Sequence, residues 1–448
     1  MSRLYDFIVR NGQIVTSEST FQGDIAIRDG KFAEISENRT IEGKGHQEID
    51  ATGQHVFPGL IDIHVHFNEP GRSEWEGIAT GSRSLAAGGV TTYVDMPLNS
   101  TPPVFTVEDL IIKRRLAEEK SIVNAKFWGG LVPTNIDQLK ALHEGGVVGF
   151  KAFMSPSGID EYLWLDDEAL YQGMKEIASL GSILAVHAES ADICGRLTDE
   201  KLSQGKTTAR DYVESRPIAS EVQAVTKLIS YAQSTGCKVH VVHASNRKVA
   251  QLVSDAKAQG VDISVETCPH YLSLSVHDLE EQGGVAKCSP PLRDAEELDE
   301  LWVAVAHGEI DIIASDHSPA PESLKRITGN FFEGWGGISG AQSTLNVLLT
   351  EGFHRKRVSL QSIVRLMATN PARRFRLKGK GHISVGYDAD LALVDLNETF
   401  TLRAQDLFYR HKHSPYVGKN FRGKVKTTIV GGQVIFDADK IMVDRTTA

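Results

Sequence analysis

GLIDIHVHF, residues 59–67, is the stretch from which the fold reads. Leu60, Ile61, Ile63 and Val65 form a short apolar run bounded by Gly59, too short for a helix and typical of a strand buried on both faces. His64 and His66 end that run, and a spacing of two on a strand projects both imidazoles to one face. Four other apolar runs end alike: VVGFKAFM (147–154) on Lys151, ILAVHAES (183–190) on His187, VHVVHASN (239–246) on His243, and DIIASDHSP (311–319) on Asp316.

TTYVDMP (91–97), AKFWGGLVP (125–133) and ISVETCPHY (263–271) bring the strand-like runs to eight. Amphipathic segments such as 221–233 and 246–259 lie between most of them. This alternation predicts an α/β fold, a (β/α)8 TIM barrel over residues 56–375 with its site at the C-terminal ends of the strands. A doubly wound sheet would carry G-x-G-x-x-G after its first strand, and none is present. FIVRNGQIV (7–15) with Asn11-Gly12 and DIAIRDGKFAEI (24–35) with Asp29-Gly30 read as hairpins. Strand-like sequence returns in DADLALVDL (388–396) and in KVKTTIVGGQVIF (424–436), where Gly431-Gly432 is the turn. Residues 1–55 and 376–448 are therefore expected to form the two parts of one small β-sandwich. The glycine-rich, charged segment 320–340 reads as a long loop over the barrel mouth.

The 448 residues suffice for such a barrel with an accessory domain. A net charge of −10 and a pI near 5.9 argue against nucleic acid and anionic membranes, which select basic surfaces. No apolar run is long enough to span a bilayer. The N-terminal stretch MSRLYDFIVRNGQIV carries charges throughout and no secretory core, so a cytoplasmic location is expected. Cys194, Cys237, Cys268 and Cys288 show no C-x-x-C pairing and read as reduced, structural thiols.

Two histidines on one buried face, with Asp62 in phase, are costly unless a cation lies between them. Ile183 and Ala185 share the face of His187. His243 is in phase with Val239 and Val241, so His240 is expected to point toward the helices in a supporting role. His317, beside Asp316, faces either the ligand or the core. Lys151 places an amine inside the barrel, where desolvation lowers its pKa. Either it pairs with Asp316 or Asp62, or it reacts as a neutral amine with carbon dioxide to give a carbamate able to bridge two metals. Beside four histidines the carbamate fits better, because an ammonium near two divalent ions is electrostatically unfavourable. Imidazole and carboxylate-type ligands suit zinc, with manganese, cobalt or iron as alternatives. The set implies metal-dependent hydrolysis.

On these residues the chain resembles the cyclic amidohydrolases of the amidohydrolase superfamily. The likeness spans His64-x-His66, the FKAF lysine, HAE, VHVVHAS, SDHSP and the GYDADLALVDL return at 386–396. Four local stretches resemble the members that open the hydantoin ring of allantoin to give allantoate: NEPGRSEWEG (68–77), DMPLNS (95–100), KCSPPLRD (287–294) and YRHKHSPYVG (409–418). The resemblance implies one metal held by His64, His66, carbamylated Lys151 (N6-carboxylysine) and Asp316, and a second held by His187, His243 and the same Lys151. It implies attack by a metal-bridging hydroxide, with Asp316 taking its proton and passing it to the leaving ring nitrogen. It also implies substrate contacts at Asn99, Ser289, Gly336 and Gly337, and a homotetramer. The dihydroorotase-like members carry an arginine two residues after the second histidine, whereas Phe67 and Asn68 follow His66 here. Dihydropyrimidinase-like members carry a tyrosine shortly after the lysine, and AFMSPS (152–157) has none. Both absences favour a small, polar, uncharged ring. A dihydropyrimidinase or hydantoinase is the alternative, ahead of a dihydroorotase, a mononuclear deaminase or a silent scaffold.

Overall fold

Eight parallel strands close into a barrel in the computed structural model, which describes residues 4–443. In chain order they are Leu60–Val65, Val90–Asp95, Asn124–Phe127 with its continuation Gly129–Gly130, Phe150–Phe153, Ile183–His187, Lys238–Val241, Ile263–Thr267 and Ile312–Ile313. Each is in parallel register with the next. A parallel bridge between Val65 and His317 joins the last strand to the first, and the His66 N–H donates to the His317 carbonyl at 2.7 Å. All eight strand-like runs of the sequence are these strands. Every residue of Leu60–Val65 is buried, as expected for a parallel strand with helices outside and packed side chains inside.

The barrel interior holds Ile61, Ile63, Val94, Trp128, Ile183 and Ala185, with the ring of Phe375 set edge-on to Trp128 at 5.1 Å. The outer layer holds Val239 and Val241 against Leu228 and Val249 of the helices Ile218–Thr235 and Arg247–Ala258. Asn246 caps the second of these helices by accepting the Val249 N–H, a contact worth about 1 kcal/mol. The chain therefore turns into a helix three residues after His243.

The two ends share one nine-stranded sheet, joined where His55–Pro58 pairs antiparallel with Leu391–Thr401. Asp29-Gly30 and Gly431-Gly432 are hairpin turns, between Thr20–Arg28 and Lys31–Ile35 and between Asn420–Val430 and Gln433–Asp437. Asn11-Gly12 is not. It lies within the single strand Leu4–Val15, whose register with Thr20–Arg28 shifts between Val9 and Gly12. Asn11 takes a φ of 58°, its N–H donates to Asp24 and its amide to Asp50, so these partners hold a bulge where local chemistry predicted a turn.

Candidate metal centre

The strand ends carry the donors to one cavity of about 320 Å³, lined by His64, His66, Lys151, His187, His243 and Asp316. His64 Nε2 and His66 Nε2 each lie 3.2 Å from Asp316 Oδ1, and the ligand atoms of these three residues fall within 4.8 Å of one another. On the other side, His187 Nδ1 faces His243 Nε2 at 3.0 Å. Lys151 is 1% exposed, and its Nζ has no hydrogen-bond partner among the described residues and stands 5.1 Å over the Phe153 ring.

Two of these positions are held against local preference. His243 has φ 40° and Asp316 φ 44°, left-handed backbone that costs a non-glycine residue about 1–2 kcal/mol. The turn at His243 corrects the phase expected from sequence. Val239 and Val241 face the helices, while His240 faces inward, 5.3 Å from Phe375. His243 reaches the cavity because the left-handed residue breaks the alternation. His240 keeps a supporting role from the inner side, bonded through Nδ1 to Ser264 at 2.8 Å and through Nε2 to Glu266 at 3.0 Å.

The outward nitrogens of two histidines are taken by carboxylates. His64 Nδ1 is 2.5 Å from Glu266 Oε1, and His187 Nε2 is 2.8 Å from Glu189 Oε2. A carboxylate on the far nitrogen fixes the tautomer and leaves the near nitrogen a lone pair aimed at the cavity. Burial pushes His66 down to about 4 and His243 well below its ordinary value, so both are neutral donors at physiological pH. Burial raises the Asp316 carboxyl, but His64, His66 and His243 outweigh it and hold the group well below the usual carboxylate range. Burial lowers Lys151 to about 8, against the pull of Glu266 and Asp316. Neutral imidazoles facing one another beside an ionised carboxylate fit a site for divalent cations.

The other candidates from the sequence line the same cavity: Asn99, Ser289, Gly336 and Gly337. Asn99 Nδ2 lies 3.4 Å from His66 Nδ1, and its Oδ1 is buried without a hydrogen-bond partner among the described residues. Ser289 Oγ is 2.6 Å from the Tyr212 hydroxyl. The loop over the mouth contributes Leu324 and residues 332–337. His317 is turned away from the cavity. Its Nδ1 accepts the Gly340 N–H at 3.2 Å, and its Nε2 is 3.6 Å from Glu76 Oε2.

Sequence reasoning misses Glu266, Glu189 and Arg216. A carboxylate inside ISVET, among residues that should be buried, is the available signal for Glu266. Glu189 sits two residues past His187. Arg216 carries no local signal; it lines the cavity, but its Nη1 donates to Glu189 Oε2 at 2.5 Å, which balances its charge. The tyrosine following Lys151, Tyr162, donates its hydroxyl to the Lys151 carbonyl at 2.6 Å and does not line the cavity.

Residues 55–435 match the amidohydrolase family. Among curated proteins, the chain is 47% identical to an allantoinase of Deinococcus radiodurans, over 96% of this chain and 95% of that one. It is 48% identical to an allantoinase of Desulfitobacterium hafniense, over 98% and 97%. Among solved structures, an L-hydantoinase (dihydropyrimidinase) from Arthrobacter aurescens superposes with a TM-score of 0.95 at 32% identity, covering 98% of each chain.

Proposed function

The chain belongs to the amidohydrolase family, and from that premise we propose that it hydrolyses the hydantoin ring of allantoin to allantoate. The observation that carries this reading is the convergence of six donor residues on one cavity sized for a small ring. Within it, Arg216 is balanced by Glu189, so no free guanidinium awaits a substrate carboxylate. Relatives named allantoinase at 41–48% identity over nearly the whole chain support the same substrate.

In this reading His64, His66, Lys151 and Asp316 hold one divalent ion and His187, His243 and Lys151 the other, with Lys151 carbamylated by carbon dioxide. Zinc is the ion proposed. Such ions, when bound, polarise a carbonyl and lower the pKa of water toward about 7. Asp316 takes the proton of the attacking water and returns it to the ring nitrogen as the C–N bond breaks. Asn99 orients the ring from the His66 side. Ser289 and the backbone of Gly336 and Gly337 orient it from the mouth. Glu266 and Glu189 keep the histidine nitrogens aimed inward. We further propose the division into residues 1–55, 56–375 and 376–448, a homotetramer and a cytoplasmic location; no helix among the described residues is long and apolar enough to cross a membrane.

The solved hydantoinase structures favour a second reading, in which hydantoins or dihydropyrimidines are the preferred rings. Initial rates with allantoin, hydantoin, dihydrouracil and dihydroorotate on metal-reconstituted enzyme separate the two. A kcat/KM for allantoin at least about tenfold above every other ring is expected, since the polar contacts of a matched ring are lost in the others. An equal or higher value for hydantoin or dihydrouracil overturns the first reading.

A further inference from the structure

We propose that Lys287 and Lys325 are the latches of the cavity mouth: buried amines that fix the backbone of residues 331–337 over the site and so position Gly336 and Gly337 against the substrate. Lys287 is 3% exposed and Lys325 4%, and the partners of both amines among the described residues are carbonyls rather than carboxylates. A buried cation without a carboxylate is unfavourable unless its donors are satisfied. Here the acceptors are main-chain carbonyls of a single loop, three for Lys287 and two for Lys325. Lys287 Nζ donates to Phe331 at 2.7 Å, Phe332 at 3.2 Å and Gly334 at 2.5 Å, one carbonyl for each N–H of an ammonium. Lys325 Nζ donates to the carbonyls of Trp335, at 3.2 Å, and Gly337. The loop answers with its own N–H groups, Gly337 to the Lys287 carbonyl at 2.8 Å and Trp335 to Leu324 at 3.0 Å.

Lys287 lines the cavity, yet with three acceptors already bound it has no donor left for a substrate. Its role is through the loop, as a positioning residue. It also touches the second wall of the mouth: Nζ lies 4.6 Å over the Tyr212 ring, and Tyr212 holds Ser289. Around Lys287 stand Arg216, Tyr212 and Lys325, and around Lys325 stand Cys288 and His413, with no carboxylate acting on either amine among the described residues. Burial pushes both amines down to about 7. Above that pH a neutral amine offers two N–H groups where Lys287 serves three carbonyls, so the latch loosens as pH rises.

The latch is tested on the wild-type full chain, without reference to any substrate, by amide hydrogen exchange at pH 6 and pH 9 corrected for intrinsic rates. Protection of residues 331–337 should fall about tenfold between the two, as expected for losing a charged donor, while the helix Ile218–Thr235 keeps its protection. Unchanged loop protection overturns the proposal. The positioning role rests on the function proposed above, and Lys287→Met and Lys325→Met test it separately. Each should raise KM about tenfold and leave kcat within about threefold and metal content intact, and Lys287→Met should also remove the rise of KM with pH. A folded variant with wild-type KM and pH profile overturns that role. Should one variant fail to fold, the other and the wild-type exchange decide.

Discussion

Glu266 stands directly behind His64, with Oε1 2.5 Å from the His64 Nδ1. Its Oε2 lies 3.0 Å from His240 Nε2, and Oε1 also accepts the His243 N–H at 3.2 Å. One carboxylate from the seventh barrel strand thus sets a histidine of the first strand and the strained turn after the sixth.

Replacing Glu266 with Gln keeps the shape and removes the charge that holds the His64 proton on Nδ1. Metal affinity should fall about 10- to 100-fold, measured by chelator competition, with the barrel still folded by circular dichroism. Wild-type affinity in Glu266→Gln would show that this contact does not support the centre.

Glu189 gives a pH-dependent prediction. Burial raises its carboxyl, but Arg216 and His187 outweigh that and hold it down at about 2, below an ordinary value of 4.5. A depressed carboxylate stabilises the fold above its unfolded pKa, and this stability is lost as pH falls from about 4.5 through about 2. Urea unfolding of metal-free protein should show a wild-type loss of about 3 kcal/mol across that window that is absent from Glu189→Gln. Parallel acid limbs in the two proteins would refute the assignment.

The barrel strands are legible in the sequence, because each is a buried run of Ile, Val, Leu and Ala closed by turn residues, a pattern that local chemistry determines. The grouping of the six candidate ligands in one cavity is legible with them, since each lies at or near the end of such a run. The phase at His243 is not, since alternation cannot anticipate a residue at φ 40° held there by the tertiary contact to Glu266. Asn11-Gly12 misleads for the same reason: Asp24 and Asp50 make a bulge of what a short peptide would turn into a hairpin. Arg216 and the two latch lysines leave no local signal because their partners lie on other segments of the chain.

Neighbouring glycines at the mouth should respond differently to alanine. A Cβ at Gly337 would lie 2.3 Å from the Ser318 carbonyl oxygen, whereas one at Gly336 would meet nothing nearer than Ser289 Oγ at 3.7 Å. Gly337→Ala should destabilise by about 1–3 kcal/mol and raise KM, while Gly336→Ala stays near wild type in thermal unfolding. Equal Tm values for the two variants would contradict this geometry.

Lys151→Ala should abolish turnover and lose at least one metal without unfolding the barrel. Short carboxylic acids should restore part of the rate by supplying two oxygens in the carbamate's place. Lys151→Arg should not be rescued, because a guanidinium keeps its proton and forms no carbamate. Near-normal rate and metal content in Lys151→Arg would reduce Lys151 to a charge partner of Asp316.

Counting the ions per chain in active wild-type enzyme, by elemental analysis alongside the rate of allantoin hydrolysis, tests most directly whether the six donors hold a two-ion centre. Two divalent ions per chain at full activity are expected, with the rate falling as the second is removed. Full activity with a single ion would contradict the binuclear centre.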